Sequence, residues 1–396
     1  MRILFCNANY PGGFGRMPSD LAADPANEVM FLSFHPRKEN APSGVIHARL
    51  NLNRDREHIP RNRDAFVSEW EKMFSLGKQA MQTLLHIRDS GFVPDMIYTS
   101  LFDGPALFLR HIFPHAFIIF YFNGFRSRGG DVGRFQAVMD FQRAMAAQSN
   151  LYFVRSEMQK SSFPPVLHPL VHVWPPHVDT EFFHPAPRNL SLFFPDEPPD
   201  SDRELITGHM KGSGHSQKEL MRVMLDLLEC RPHCLAAFAF ENEAVRRQWQ
   251  QALHALPEHL HRRLFLAGGL DGATYHHLLC SSTVYIFPEY ASPPLQGMLE
   301  AMSCETLLMT PVSDGADEFL RHGETMVAFP KQGKERQLEA ICRVIDHPEA
   351  CDAIRKRGRK RIAARCSDRV VFFEHLNFVM NEYKNFKKHG GWIAQP

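Results

Sequence analysis

Three stretches of the sequence place chemistry-bearing residues where a strand gives way to a turn. The most telling runs from Pro288 to Ser303, Pro-Glu-Tyr-Ala-Ser-Pro-Pro-Leu-Gln-Gly-Met-Leu-Glu-Ala-Met-Ser. An apolar run ends at Phe287, a proline-rich turn follows, and a helix is expected to begin near Pro294 with Glu300 about two turns in. A carboxylate so placed can accept a pair of hydrogen bonds from a vicinal diol, while the helix start turns unpaired N–H groups toward phosphate. Set among Met298, Leu299, Ala301 and Met302, an unpaired carboxylate would be costly, so a partner is expected. The alternative is a solvent-facing helix residue.

The second stretch is Asn9-Tyr-Pro-Gly-Gly-Phe-Gly15, a glycine-rich turn after the first strand candidate. Glycines let backbone approach a ligand closely, and a following helix start favours an anion. Pro18 stands where the dinucleotide-binding fingerprint needs its third glycine, so that motif is absent, and a tight turn is the competing reading. The third stretch, Phe122-Asn-Gly-Phe-Arg-Ser-Arg-Gly-Gly-Asp-Val-Gly133, gathers Asn123, Arg126 and Asp131 on one loop directly after a strand candidate. Loops at the carboxyl ends of parallel strands are where open α/β sheets bind ligands.

These loops need strands and helices to hold them. Apolar runs at 2–7, 29–33, 96–99, 117–122 and 151–154 read as buried strands, with helical stretches between them. Phe66, Trp70, Met73, Phe74, Met81, Leu84 and Ile87 recur at helical spacing and predict one long amphipathic helix over 63–90. Pro185, Pro187, Pro195, Pro198 and Pro199 mark a linker or long loop between Phe182 and Asp202. The rhythm then restarts with strand candidates at 205–207, 235–240, 263–267, 284–287, 307–310 and 326–329. This alternation predicts an α/β fold of two doubly wound parallel-sheet domains in tandem, 1–175 and 176–367.

The chain has 396 residues, 44 % of them hydrophobic, and a formal net charge of +1. That excludes a single small module and intrinsic disorder, and leaves no overall field to gather nucleic acid. Eight sparse cysteines suit a reduced, cytoplasmic chain, and no apolar stretch reaches membrane-spanning length. Cys230, His233 and Cys234 lack a second ligand pair, Asp200-Ser-Asp202 sits in the proline-rich loop, and His276-His277 has no companion carboxylate, so no metal site is expected. Arg355-Lys-Arg-Gly-Arg-Lys-Arg361 could meet anionic lipid at the inner membrane face, or form a solvated helix surface. It carries no aromatic stacking motif for nucleic acid.

In this order and in tandem halves, these segments resemble family 4 retaining glycosyltransferases of the GT-B fold, almost end to end. Met1-Arg-Ile-Leu-Phe with Asn-Tyr-Pro-Gly-Gly-Phe is similar to the family's opening strand and turn. Asp103-Gly-Pro-Ala-Leu-Phe-Leu-Arg-His-Ile-Phe-Pro, Tyr121-Phe and the Gly-Gly-Asp-Val-Gly segment resemble one subgroup's first domain. Trp174-Pro-Pro-His-Val-Asp-Thr-Glu-Phe-Phe-His-Pro resembles the interdomain segment, and Leu299-Glu-Ala-Met-Ser-Cys the donor-site signature.

The resemblance implies two Rossmann-like domains facing across a cleft, with 368–396 a helix crossing back to the first. It implies metal-independent transfer of a sugar, with retained configuration, from a nucleotide diphosphate donor to a glycan, lipid or protein acceptor, as in cell-surface polysaccharide synthesis. The nucleotide sugar is a co-substrate, and no cofactor is implied. Glu300 would hold the ribose hydroxyls. Backbone groups of Gln296, Gly297 and Met298 would meet the diphosphate, with Gly12 and Gly13 closing from the first domain, and Asp103, Asn123, Arg126 and Asp131 would serve the acceptor.

Three positions depart from the family pattern. A second acid expected eight positions before Glu300 is Ser292, although Glu289 lies close by. The cation pair after the first strand of the second domain is replaced by His209 and His215 with Lys211 and Lys218, so diphosphate charge falls to the lysines or to protonated histidine. A catalytic-type histidine of the first domain is Ser100. Lys211, His209 and His215 are therefore the candidate catalytic groups. Rival readings are a catalytically weakened GT-B module that binds glycan or nucleotide, and a GT-B epimerase or phosphorylase.

Overall fold

A computed structural model describes residues 1–34, 44–50, 64–100, 104, 106–122, 136–137, 140–141, 143–145, 147–161, 163, 165–211, 214–241, 243–253, 256–289, 296–312 and 319–390. The chain divides into two units, Met1–Trp174 with Phe372–Pro396, and Pro175–Val371. Asp103, Asn123, Arg126, Asp131 and Ser292 lie outside the described residues.

In the first unit the apolar runs become a seven-stranded, all-parallel sheet. Its strands are β1 (Arg2–Cys6), β2 (Glu28–Ser33), β3 (Val45–Arg49), β4 (Met96–Thr99), β5 (Phe117–Tyr121), β6 (Leu151–Val154) and β7 (Val171–Val173), in the order β3-β2-β1-β4-β5-β6-β7. The order reverses between β1 and β4, where Ile3–Cys6 pair with Met96–Thr99. Side chains alternate between faces with the period of two that strands impose. Leu4, Cys6, Ile97 and Phe120 join one apolar cluster, which the long helix Ala65–Asp89 covers with Met73, Ala80 and Leu84. That helix starts under an Asp64 cap whose carboxylate accepts from the Phe66 and Val67 amides.

On the other face Phe5 stacks on Tyr98 at 4.9 Å and Phe14 meets Tyr121 edge-on at 5.2 Å. His375, on the last helix Asp368–Lys388, stacks on Trp174 at 4.3 Å and meets Phe153 at 4.6 Å. Burial of this aromatic layer is what holds residues from Phe372 onward with the first unit.

The second unit has a six-stranded parallel sheet: β8 (Leu205–Met210), β9 (Leu235–Phe240), β10 (Leu264–Gly268), β11 (Val284–Ile286), β12 (Leu307–Thr310) and β13 (Val327–Ala328), in the order β10-β9-β8-β11-β12-β13. Its reversal falls between β8 and β11. Separate apolar clusters cover its two faces, one holding Ile206, Phe238 and Ile286, the other Leu205, Tyr285 and Leu299. Both units are therefore Rossmann-like, as the alternation in the sequence predicts.

The proline-rich stretch 182–202 is not a free linker. Its Leu190, Phe193 and Phe194 are buried in the second unit's core around a short 3-10 turn at Leu190–Leu192. Prolines remove regular hydrogen bonding there without removing the apolar side chains that pack. Among the described residues, no helix is long and apolar enough to cross a membrane.

Candidate functional site

A cavity of about 380 Å³ opens at the carboxyl ends of β8, β9, β10 and β11, at the point where strand order reverses in the second unit. Diverging crossovers leave a crevice at such a point, and the loops around it carry unpaired backbone groups. Its walls include His209, Lys211, Tyr275, Tyr285, Gln296, Gly297 and Glu300. Gln296, Gly297 and Glu300 come from the first two turns of the helix Gln296–Ser303, whose leading N–H groups have no intrahelical acceptor.

Glu300 is largely withdrawn from water, and this desolvation pushes its carboxyl up to about 7, with the Asp368 charge adding to the rise and a hydrogen bond from Gln296 opposing it. Among the described residues, Gln296 one turn earlier meets the predicted need for a partner. Gly297 is required by space: a Cβ there would stand 3.1 Å from both the Tyr275 hydroxyl and Phe287 Cζ. Met298 is fully buried in the core and is not among the residues lining the cavity.

His209, next to last in β8, has its ring stacked on Phe287 and its Nδ1 3.3 Å from the Tyr285 hydroxyl, which in turn lies 3.2 Å from the Tyr275 hydroxyl. Burial, reinforced by Lys211, lowers the imidazole to about 4, against a smaller opposing pull from Glu289. A protonated His209 near neutral pH, as the sequence allows, does not hold. The cation that lines the cavity is Lys211.

His215 and Lys218 are not among the residues lining this cavity. His215 opens the helix His215–Cys230 with an 83 % exposed side chain 3.6 Å from Glu219, and Lys218 is exposed on the same helix. Glu289, the nearest acid to the Ser292 position, is held at that helix start by Ser216 Oγ at 3.0 Å and Gln217 Nε2 at 2.9 Å.

In the first unit, Gly12–Phe14 form a 3-10 turn after β1. Gly12 adopts φ +59°, and a Cβ would strike the Asn7 side chain at 2.3 Å, so only glycine fits. The Gly13 carbonyl accepts from Arg155 at 2.6 Å, and that guanidinium lies over the Trp174 ring at 5.0 Å. Ser100 follows β4 beside the reversal, its amide donating to the Cys6 carbonyl at 3.1 Å.

Sequence reasoning missed Tyr275, Tyr285 and Arg155. The tyrosines carry no motif; their signal is a hydroxyl in an otherwise apolar strand or helix beside a strand end. The basic run also reads differently. Arg355 donates to the Thr283 carbonyl, Arg357 to those of Gly323 and Glu324, and Arg359 to those of Phe183 and Thr180. These arginines tie loops of the second unit together.

Residues 25–183 match the family model described as Glycosyl transferase family 4 group, and residues 239–373 match the one described as Glycosyl transferase-like. No curated protein matches the chain significantly. Among solved structures, sucrose-phosphate synthase from Thermosynechococcus elongatus superposes with a TM-score of 0.72 at 14 % identity, covering 97 % of this chain and 100 % of that one. Anabaena HepE in complex with UDP-glucose gives 0.68 at 14 % identity, over 96 % and 100 % of the two chains. The trehalose 6-phosphate synthase of Burkholderia multivorans gives 0.67 at 10 % identity, over 99 % of each. At such identities the likeness is one of fold.

Proposed function

Because the chain belongs to the GT-B glycosyltransferases, we propose that its second unit binds a nucleoside diphosphate sugar and that the enzyme transfers the sugar, with retention and without a metal, to a glycan, lipid-linked or protein acceptor. The observation that carries this reading is a buried carboxyl, Glu300, sharing one crevice at the sheet's reversal with Lys211 and a helix start. Anabaena HepE, of the same fold, was solved with UDP-glucose, which makes that compound the first probe.

Each group has a task its chemistry suits. Glu300, once ionised, accepts two hydrogen bonds from the ribose diol. Lys211 supplies fixed positive charge to the diphosphate, joined by the backbone N–H groups of Gln296, Gly297 and Met298. His209 is neutral and forms wall with Tyr285 and Phe287 rather than a counter-ion. As the sugar leaves, charge grows on the diphosphate, and donors already in place stabilise it without reorganisation. A donor phosphate oxygen on the leaving-group face takes the acceptor proton, so the incoming and departing groups share one face and configuration is retained. In the first unit, Arg155 holds the Gly12–Gly13 turn as a positioning residue.

A thermal-shift panel of nucleotide sugars tests the reading, since a ligand at a hundred times its Kd stabilises the folded state by about 2.7 kcal/mol. UDP-glucose or another nucleoside diphosphate sugar should raise Tm, and transfer should proceed equally with and without added Mg²⁺ or Mn²⁺. A panel in which none raises Tm contradicts the proposal.

A further inference from the structure

His276, Cys280 and Cys304 bring one donor atom each to within 4.8 Å of one another. His276 and Cys280 stand one turn apart on the helix Gly272–Ser281 and so share a face, while Cys304 follows directly on the helix Gln296–Ser303. None of the three is in a disulfide or lines the cavity described above, and the Cys280 thiol donates to the His184 carbonyl at 3.3 Å. His276 Nε2 lies 2.7 Å from the His184 carbonyl oxygen. A carbonyl only accepts, so Nε2 carries the proton and Nδ1 keeps the lone pair.

The donor set is one imidazole and two thiols, with no carboxylate, which selects a soft or borderline ion over Mg²⁺ or Ca²⁺. Around tetrahedral zinc, with bonds of roughly 2.0–2.3 Å, such donors stand roughly 3.3–3.8 Å apart, within the observed span. His276 and Cys304 are 9 % and 5 % exposed, and Cys280 is partly open, which gives an ion a way in.

We propose that His276, Cys280 and Cys304 form a zinc site that pins the helix carrying Tyr275 to the helix carrying Gln296, Gly297 and Glu300. Two thiol protons leave to solvent as two Zn–S bonds form, the His276 imidazole gives the third protein ligand, and water takes the fourth position. The site's role is structural: it fixes two walls of the crevice. It stands on the cysteine and histidine geometry and is independent of what the crevice binds.

The test uses the full chain, purified reduced, stripped with a chelator and titrated with Co²⁺ and then Zn²⁺. One Co²⁺ per chain should produce a thiolate-to-cobalt charge-transfer band with the intense visible absorption of tetrahedral cobalt, abolished by one equivalent of Zn²⁺. Cys280→Ser should weaken binding by more than the roughly 100-fold that loss of an outer-shell partner can cost. Cys230→Ser, whose thiol donates only to carbonyls of its own helix, should leave the spectrum unchanged. Circular dichroism of the stripped variants confirms that they are folded. A wild-type chain with no thiolate band, the same band in Cys280→Ser, or a Cys280–Cys304 disulfide formed in air with zinc in excess would each overturn the proposal.

Discussion

His209 lies nearly flat on Phe287, with ring centroids 4.3 Å apart and planes 19° from parallel. The contact shields one face of the imidazole from water and is part of the burial that keeps it neutral down to about pH 4. In the proposed donor site His209 is therefore an aromatic wall rather than a counter-ion. Among the described residues, the other charged groups lining the crevice are Lys211, Glu241 and Glu300.

Affinity for UDP-glucose should tighten as pH rises. Glu300 titrates near 7, and only its ionised form accepts both diol hydrogens. Roughly a tenth of it is ionised at pH 6 and roughly nine-tenths at pH 8, so Kd should fall about ten-fold over that interval and then level off. Calorimetry at fixed ionic strength reads this directly, and Glu300→Gln should flatten the profile. Weakening affinity over the same interval would assign the contact to a protonated histidine.

Stability should move in the opposite sense. Glu300 holds its proton up to about 7 in the folded chain, against about 4.5 when unfolded. Between those values the folded state binds more protons, so this group's contribution to stability falls as pH rises from 4.5 through 7. At pH 8 Glu300→Gln should unfold at higher denaturant than wild type, by on the order of 2 kcal/mol, and at pH 4 the two should coincide. Urea titrations at the two pH values check this.

Gly297→Ala should injure the crevice more than helix propensity alone predicts. The new methyl would press on the Tyr275 hydroxyl and Phe287 from 3.1 Å, an overpacking that typically costs ~1–3 kcal/mol. Adding Tyr275→Phe removes one of the two obstructions and should recover part of the lost Tm. Failure of the double variant to recover any would place the damage elsewhere.

Arg155→Ala should loosen the first unit's glycine turn. It removes a charged donor from the Gly13 carbonyl and a cation from the Trp174 face, interactions worth ~1–3 kcal/mol together. Hydrogen exchange should rise at the turn's amides. Unaltered exchange at Phe14 would show that the turn holds without it.

Much of the fold was legible because buried parallel strands are continuous apolar runs. Met96–Thr99, Leu151–Val154, Leu235–Phe240 and Leu307–Thr310 stand where the residues predict, and the helix expected over 63–90 spans Ala65–Asp89. The missed strands are short edge elements. Val45–Arg49 has one fully buried side chain, and Val171–Val173 is three residues long and follows Pro169, so neither gives a readable alternation.

Of the crevice, Glu300 and Gly297 were visible because helix start and apolar context constrain them. Tyr275 and Tyr285 were not, since the group that Tyr285 meets in the crevice wall, His209, lies 76 positions away. The state of His209 depends on Phe287, 78 positions away, and a residue type alone cannot disclose it. His276 and Cys280 form a readable i, i+4 pair, but their partner Cys304 is joined to them only by the packing of two helices.

The most direct measurement is calorimetric titration of UDP-glucose into wild type and Glu300→Ala at pH 8. Wild type should bind one molecule per chain, and the variant should bind at least about ten-fold more weakly, the loss expected for a charged hydrogen-bond acceptor. Equal affinity in the two proteins would contradict the assignment of this crevice as the site that grips the donor.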